Sequence, residues 1–454
     1  MPDIRFDRLI LGDIVTPERV LEGGWIGTTG ETIAGIGQGS APKGAETLDY
    51  SGHLVLPGLV DGHMHTSSAM GWGGIVHATR SAAAGGVTTV VDMPYDIPHP
   101  VTDAAILAEK LAVVEADSHV DVALYGTILK SGGTGAIAGL AQAGVSAFKL
   151  STYEYDAVRF PRISPQEMTL AFGLIGETGI PVALHNENQE LVESLTEEAK
   201  AAGRTDPIQH ARTRPPLAEN LANTEIFEIG LATGAHVHIA HSSLARGFDL
   251  AAAYRGFGMK ASAEACIQYL CMTEDDLVRL AGRGKCNPPF RTAEEVERMW
   301  DRLTKGLVEY VSTDHAPWPL RHKQDANIFR TGAGLTGLQS FAPLMLTLLA
   351  RRGLPPTLIA QYCAERTARF HGLYPRKGAI RVGSDADFCI IERGRFVFDE
   401  ASIVDRPECR WSPYHGMEMA GRVAASVLRG TLIYSAGTVH ARPGTGRFVR
   451  RAGS

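Results

Sequence analysis

The feature that most constrains the fold is a series of short apolar runs separated by helix-like stretches. The runs recur roughly every thirty residues, as expected for strands that alternate with helices: 88–91, 120–125, 147–150, 182–185, 236–241 and 308–312. Such units, repeated over about 320 residues, are typical of an α/β (β/α)8 TIM barrel. A doubly wound open sheet is the alternative. It predicts a glycine-rich phosphate-binding turn after an early strand, and no such turn is evident in the sequence.

The two ends of the chain have a different character. Short β-like pieces broken by glycine occupy residues 4–56, and similar pieces return at 385–391 and 427–434. We therefore expect a small β-sandwich domain from residues 1–56 plus 380–440. The barrel occupies residues 57–379, and residues 441–454 form a C-terminal tail. The tail is basic and glycine-rich between Arg442 and Arg451, which indicates a solvated segment.

Composition excludes several classes of partner. The chain has 454 residues, 44 basic and 50 acidic, and a net charge of −6 without a basic run. Nucleic acid and anionic membranes are therefore not expected partners. The sequence has no apolar leader segment and no run of eighteen apolar residues, so neither a signal peptide nor a membrane span is predicted. Six cysteines without a Cys-x-x-Cys pair predict reduced thiols in a cytoplasmic protein.

A pair of histidines follows the apolar run at 54–60. If this run is a strand, His63 and His65 point to the same face about 7 Å apart, and both can bind one metal ion. A polar strand end is the alternative interpretation.

Later strands supply further candidate ligands. Lys149, His185, His241 and Asp314 each close or follow an apolar run. In a barrel the carboxyl ends of the strands converge on one mouth, where the active sites of this fold lie. A series of such residues on successive strands predicts a metal site at the mouth.

Each candidate has an alternative. His185 can be structural, His238 can replace His241, and Asp314 can cap a helix. A free Lys149 ammonium has no lone pair, and its default role is in a salt bridge. If carbon dioxide carboxylates the amine, the resulting carbamate has two oxygens that can bridge two metals about 3.5–4 Å apart.

Together these residues resemble the binuclear metal set of the amidohydrolase superfamily, in particular the cyclic amidohydrolases: hydantoinase/dihydropyrimidinase, allantoinase and dihydroorotase. The similarity spans nearly the whole chain. It includes the segments 56–61, 85–89, 92–94, 287–291, 312–317 and 377–387.

The resemblance implies a ligand set and a reaction. His63, His65 and Asp314 would hold the more buried metal, His185 and His241 the more exposed one, and N-carboxylated Lys149 would bridge them. Two divalent ions, Zn²⁺ by preference, would share a hydroxide that attacks a cyclic amide or ureide. Asp314 would be the catalytic acid–base. Relatives of this kind are commonly homodimers or homotetramers.

Departures from the family patterns narrow the range of expected substrates. Dihydroorotases carry an arginine two residues after His-x-His, whereas this chain has Ser67. Hydantoinases place an oxyanion-stabilising tyrosine five residues after the bridging lysine, where this chain has Glu154. Candidate substrate contacts are Tyr153, Tyr155, Asn287 and Gly334.

We therefore predict metal-dependent hydrolysis of the C–N bond of a cyclic amide or ureide, of the hydantoinase/dihydropyrimidinase kind. Allantoinase is the alternative. Dihydroorotase and an inactive scaffold homologue are disfavoured, the scaffold because every ligand position is retained.

Overall fold

The computed structural model describes residues 6–42 and 44–452. In chain order the strands are β1 (Phe6–Val15), β2 (Val20–Thr29), β3 (Thr32–Gln38), β4 (Gly44–Pro57), β5 (Leu59–Met64), β6 (Val87–Asp92), β7 (Asp121–Gly126), β8 (Ala147–Ser151), β9 (Val182–His185), β10 (Val237–Ile239), β11 (Ala261–Ala263), β12 (Ala265–Cys266), β13 (Val311–Ser312), β14 (Phe388–Val397), β15 (Glu418–Leu428), β16 (Thr431–Ser435) and β17 (Thr438–Val439).

The α-helices are α1 (Ile75–Ala84), α2 (Ala104–Asp117), α3 (Ile137–Ala143), α4 (Pro165–Thr178), α5 (Gln189–Ala201), α6 (Gln209–Arg212), α7 (Pro216–Thr233), α8 (Ala245–Gly256), α9 (Glu274–Leu280), α10 (Ala293–Thr304), α11 (Phe341–Arg351), α12 (Thr357–Ala360) and α13 (Arg366–Phe370).

Strands β5 to β13 form a curled, parallel barrel sheet. Seven strands pair in the order β5-β6-β7-β8-β9-β10-β11. Glu264 alone separates β11 from β12, which pairs with β13. Just beyond β13, His315 bridges to Met64 in parallel, and its carbonyl accepts the His65 N–H at 2.7 Å. These contacts bring the last strand back to the first, so the barrel prediction is confirmed.

The remaining strands form one sheet that joins both ends of the chain. Its order is β17-β16-β15-β14-β4-β1-β2-β3, and the register pairs Pro57 with Phe388. Apolar side chains such as Ile10 and Val427 fill its buried face. The prediction that the two ends of the chain pair with each other is confirmed, and the predicted sandwich strands are linked into one continuous sheet.

The end of the barrel opposite the mouth is closed by apolar and ionic contacts. Tyr125, Tyr310 and Phe370 pack in a buried cluster that also contains Val449. The ionic contacts are those of the Lys377 ammonium, which pairs with the carboxylates of Asp121, Asp385 and Asp387. We call this end the floor, and the four charged residues the floor ion cluster.

The C-terminal segment differs from the prediction of a solvated tail. Val449 is 1% exposed, and its N–H donates to the Val122 carbonyl at 2.8 Å. The Val122 N–H donates in turn to the Arg447 carbonyl at 2.9 Å. The segment packs against the floor because the burial of Val449 there removes apolar surface from water.

In the part of the chain that the structure describes, none of the helices has the length and apolar character needed to cross a membrane.

Candidate metal centre and substrate cavity

Three predicted ligands meet at the inner end of the barrel mouth. One ring nitrogen each of His63 and His65 and one Asp314 oxygen lie within 4.8 Å of one another. The Asp314 Oδ1 lies 3.3 Å from His63 Nε2 and 3.5 Å from His65 Nε2. The two histidines share a strand face, as the two-residue period of a strand requires.

The other predicted ligands stand beside this group. The His241 ring is 5.2 Å from the His63 ring and 4.6 Å from the His185 ring, measured between centroids. His185 Nδ1 lies 2.9 Å from His241 Nε2. Lys149 lines the same cavity as His185, His241 and Asp314. The fold thus brings together all six residues that the sequence singled out as ligands.

Several polar atoms of this group are buried without a hydrogen bond. Among the described residues, His63 Nε2, His241 Nδ1 and Lys149 Nζ make no hydrogen bond. An unpaired buried polar atom costs about 1–3 kcal/mol, so proteins retain few of them away from functional sites. Imidazole nitrogens and a carboxylate that converge in this way suit a divalent cation such as zinc. The donor set therefore fits the metals that the resemblance implies.

Two of these residues have an unusual backbone. His241 and Asp314 lie at positive φ, 38° and 47°, although neither is glycine. Each follows a short strand, β10 or β13, at the point where the chain leaves the barrel. Such conformations cost about 1–3 kcal/mol and persist where surrounding contacts hold them, typically at functional sites.

Burial and neighbouring charges shift the pKa values of the group. Burial lowers the pKa of Lys149 to about 8, against the attraction of Glu264 and Asp314. Burial likewise lowers the pKa of His63 and of His241 well below the usual value, with Lys149 adding to the effect. Burial alone would raise the pKa of Asp314, but His63, His65 and Lys149 outweigh it and the pKa is lowered. The imidazoles of His63 and His241 are therefore neutral near pH 7, the form that binds metal.

Two buried carboxylates that sequence reasoning missed lie behind the ligands. Asp61 accepts the backbone N–H of His63 at 3.3 Å and of Thr313 at 3.1 Å. Glu264 contacts His63 Nδ1 and accepts the His241 N–H at 2.8 Å. The sequence contained one indication of each carboxylate: an acidic residue inside a run of otherwise apolar or small residues, at 59–62 for Asp61 and at 261–267 for Glu264.

A third carboxylate supports His185 from the open side. Glu187 Oε2 lies 2.9 Å from His185 Nε2 and is paired with the Arg214 guanidinium. The Arg214 guanidinium also lies over the Tyr153 ring, 4.7 Å from its centroid. The sequence did not reveal this pair, because the contact between Glu187 and Arg214 joins segments 27 residues apart.

A cavity of about 530 Å³ opens above the six residues. Its outer wall is aromatic, with Tyr95 and Phe160 stacked at 3.6 Å. Charged side chains, including Arg159 and Lys200, line the rest of the opening. The volume and the mixed lining suit a small, polar ring compound.

The four predicted substrate contacts all line this cavity. The Tyr155 hydroxyl donates to Glu187 at 3.4 Å, whereas Asn287 Oδ1 is among the unpaired buried atoms of the described chain. The Gly334 N–H donates to the Lys285 carbonyl at 2.9 Å, and the Gly334 carbonyl accepts the Lys323 ammonium at 2.8 Å.

His238, the alternative to His241, lies in the barrel interior rather than at the mouth. Its ring stacks on Tyr310 at 5.2 Å, and its Nδ1 bonds Ser262 Oγ at 2.8 Å. The structure therefore places His241 rather than His238 with the other candidate ligands.

Comparison with known proteins agrees with this geometry. The model of the amidohydrolase family matches residues 54–431. An allantoinase from Rubrobacter xylanophilus is 35% identical over 436 residues, covering 94% of this chain and 93% of that protein. An L-hydantoinase from Paenarthrobacter aurescens is 30% identical over 454 residues, covering 98% and 96%.

Solved structures extend the likeness to the fold. The structure of an L-hydantoinase (dihydropyrimidinase) from Arthrobacter aurescens superposes with a TM-score of 0.93 at 29% identity, covering 98% of this chain and 100% of that one. A D-hydantoinase structure gives a TM-score of 0.90 at 25% identity, covering 98% and 99%. The resemblance found in the sequence is confirmed, and the chain belongs to the amidohydrolase family.

Proposed function

We propose that this protein hydrolyses the C–N bond of a cyclic amide or ureide, with a hydantoin or a dihydropyrimidine as the substrate type. The observation that carries the proposal is the convergence of six candidate ligands, with unpaired buried donor atoms, below a cavity of ring-compound size. The names of the similar proteins, L-hydantoinase and allantoinase, support the same class of reaction.

The proposed metal centre uses His63, His65, His185, His241 and Asp314, with N-carboxylated Lys149 between the two halves. Two divalent ions bound there, zinc by preference, would activate water near neutral pH and polarise the substrate carbonyl. Lys149 Nζ has no hydrogen-bond acceptor among the described residues, so carboxylation of this amine would not break an existing salt bridge. This observation supports the proposed carboxylation.

The residues of the chain supply the proton transfers. Asp314 Oδ1 lies beside both His63 and His65, where it would accept the proton of the attacking water. The same carboxyl would return the proton to the leaving ring nitrogen, and the product is a ring-opened carbamoyl or amide acid. Tyr153 is the better candidate to stabilise the oxyanion, because the Tyr155 hydroxyl is bonded to Glu187.

Allantoin hydrolysis is the second candidate. It is favoured by the 35% identity to an allantoinase and by the charged lining of the cavity opening, which suits a polar ring substituent. Dihydroorotate remains disfavoured because Ser67 stands where an arginine would bind its carboxylate.

A hydrolysis screen of the zinc-loaded protein tests the proposal. The panel is hydantoin, dihydrouracil, allantoin, dihydroorotate and a simple cyclic imide, each followed by the appearance of the ring-opened product. We expect turnover of hydantoin or dihydrouracil, and turnover of allantoin alone would select the second candidate. Less than one equivalent of bound metal after growth with adequate supply, together with no turnover, would overturn the proposal.

We also propose that the protein works in the cytoplasm as a homodimer or homotetramer. Six cysteines, all free in the structure, support a reducing compartment. Light scattering coupled to size-exclusion chromatography measures the assembly directly.

A further inference from the structure

We propose that Glu264 is a positioning residue that holds His63 and His241 in the orientations needed to bind metal, an inference that rests on the proposed function. Glu264 occupies the single position between β11 and β12, and its side chain is completely buried. It lies behind the ligands, and the residues that line the cavity do not include it. It therefore acts through other residues rather than on the substrate.

The Glu264 carboxylate contacts three strands of the barrel. Oε1 contacts Nδ1 of His63, in β5, and accepts the backbone N–H of His241, after β10, at 2.8 Å. Oε2 accepts the hydroxyl of Ser312, in β13, at 3.2 Å. One oxygen thus serves a ligand from each half of the proposed metal centre.

The contact with His63 decides which ring nitrogen carries the proton. A carboxylate only accepts, so the neutral His63 ring places its hydrogen on Nδ1. The lone pair then belongs to Nε2, the atom that lies 3.3 Å from Asp314 Oδ1. Carboxylates that fix the ring of a metal-binding histidine in this way raise metal affinity about 10–100-fold.

The contact with His241 acts on the backbone. His241 has φ of 38°, which a non-glycine residue keeps only when its surroundings hold it there. The N–H that Glu264 accepts belongs to this residue. Loss of the acceptor would free the turn that aims the His241 ring at the centre.

A purely structural carboxylate would look different. Glu219, also buried, is paired with the Arg291 guanidinium. Among the described residues Glu264 has no arginine or lysine within ion-pair distance, and its side-chain partners are His63 and Ser312. Its negative charge is therefore free to offset the cations of the proposed centre.

Zinc retention of two variants tests the inference. Glu264→Gln keeps an oxygen for His63 and His241 but removes the charge, whereas Glu264→Ala removes every contact. The zinc bound per chain is measured in competition with a chromophoric chelator. We expect zinc affinity to fall about tenfold in Glu264→Gln and about 100-fold in Glu264→Ala, with both equivalents affected. Ser312→Ala, which removes only the third contact, is the matched control and should stay within about twofold of the native affinity.

The melting temperature of the metal-free proteins separates positioning from folding. For metal-free Glu264→Gln we expect the native melting temperature, so that its zinc loss cannot be a folding defect. If Glu264→Ala does not fold, the Glu264→Gln variant carries the test. Native zinc affinity in Glu264→Gln, or a zinc loss matched by a lower metal-free melting temperature, would overturn the inference alone. A native protein that binds no zinc would instead overturn the proposed function, and this inference with it.

Discussion

Two buried lysines, at opposite ends of the barrel, show how differently the same group is treated. Lys377, at the floor, is surrounded by the carboxylates of Asp121, Asp385 and Asp387, and these outweigh burial to raise its pKa. Lys149, at the mouth, makes no hydrogen bond within the described chain, and burial lowers its pKa to about 8. The first lysine has every partner it needs, and the second has none.

The difference in partners distinguishes a lysine with a structural role from one with a proposed functional role. A buried charge with complete partners is stable by itself, and removing one partner leaves the others uncompensated. A buried amine without partners costs stability unless something else compensates it. The unsatisfied hydrogen-bonding capacity of Lys149, more than its burial, indicates that the mouth is the ligand-binding end of the barrel.

The largest expected effect comes from replacing the unpartnered lysine. Lys149→Ala should lower kcat/KM for the best cyclic amide by about 10³-fold or more, since it removes a group proposed to stabilise the reacting charge. The metal content should fall with it, while the melting temperature of the metal-free protein should not decrease. Steady-state kinetics and metal analysis measure both.

Short carboxylic acids provide the control for this variant. If Lys149 acts as a carbamate, acetate or propionate should restore part of the activity of Lys149→Ala. Full activity of the variant without added acid would contradict the proposed bridging role.

Replacing the partnered lysine should have the opposite profile. Lys377→Met leaves Asp387 without a cation among the described residues, whereas Arg429 still pairs with Asp121 and Arg376 with Asp385. The loss of the buried partner of Asp387 should lower the free energy of unfolding by about 3–5 kcal/mol. Urea titration measures the loss, and kcat of the folded protein should be unchanged. Lys305→Met, which removes an exposed pair with Asp301, is the matched control and should leave the urea midpoint in place. A loss below about 1 kcal/mol in Lys377→Met would remove the contrast between the two lysines.

A smaller effect is expected from the pH dependence of the floor. Burial, together with Lys260 and Arg451, lowers the pKa of His236 to about 4. The unfolded chain binds this proton at about pH 6.5, so the folded protein loses stability as the pH falls from about 6.5 towards 4. His236→Gln should remove about 1–2 kcal/mol of the stability loss between pH 7 and pH 5.

Urea titrations of both proteins at pH 7 and pH 5 measure this difference. His99→Gln, at an exposed site, is the control and should keep the native pH dependence. Equal acid sensitivity in native protein and His236→Gln would show that His236 does not contribute.

Much of the fold could be predicted because its signals are local. Apolar strands at regular spacing indicated the barrel, and similar β pieces at both ends indicated the shared sheet. The tail was misjudged for the opposite reason. Its burial depends on contacts of Phe448 and Val449 with the barrel, which exist only after the barrel has formed.

The candidate ligands were also accessible from the sequence, because each stands where an apolar run ends. The residues behind them were not. Asp61, Glu264 and Arg214 act through contacts with segments distant along the chain, and an acidic residue inside an apolar run does not by itself say which ligand it supports.

The sequence by itself determined the barrel, the shared sheet and the candidate ligands at the mouth, with the choice between His238 and His241 left open, because strand period and strand order place them there without knowledge of packing. Only the tertiary structure decided which polar groups are satisfied. It gave Lys377 three carboxylates and Lys149 none, and it placed Glu264 between His63 and His241. Hydrogen-bond partners are chosen by proximity in space, which a local pattern in the chain does not specify.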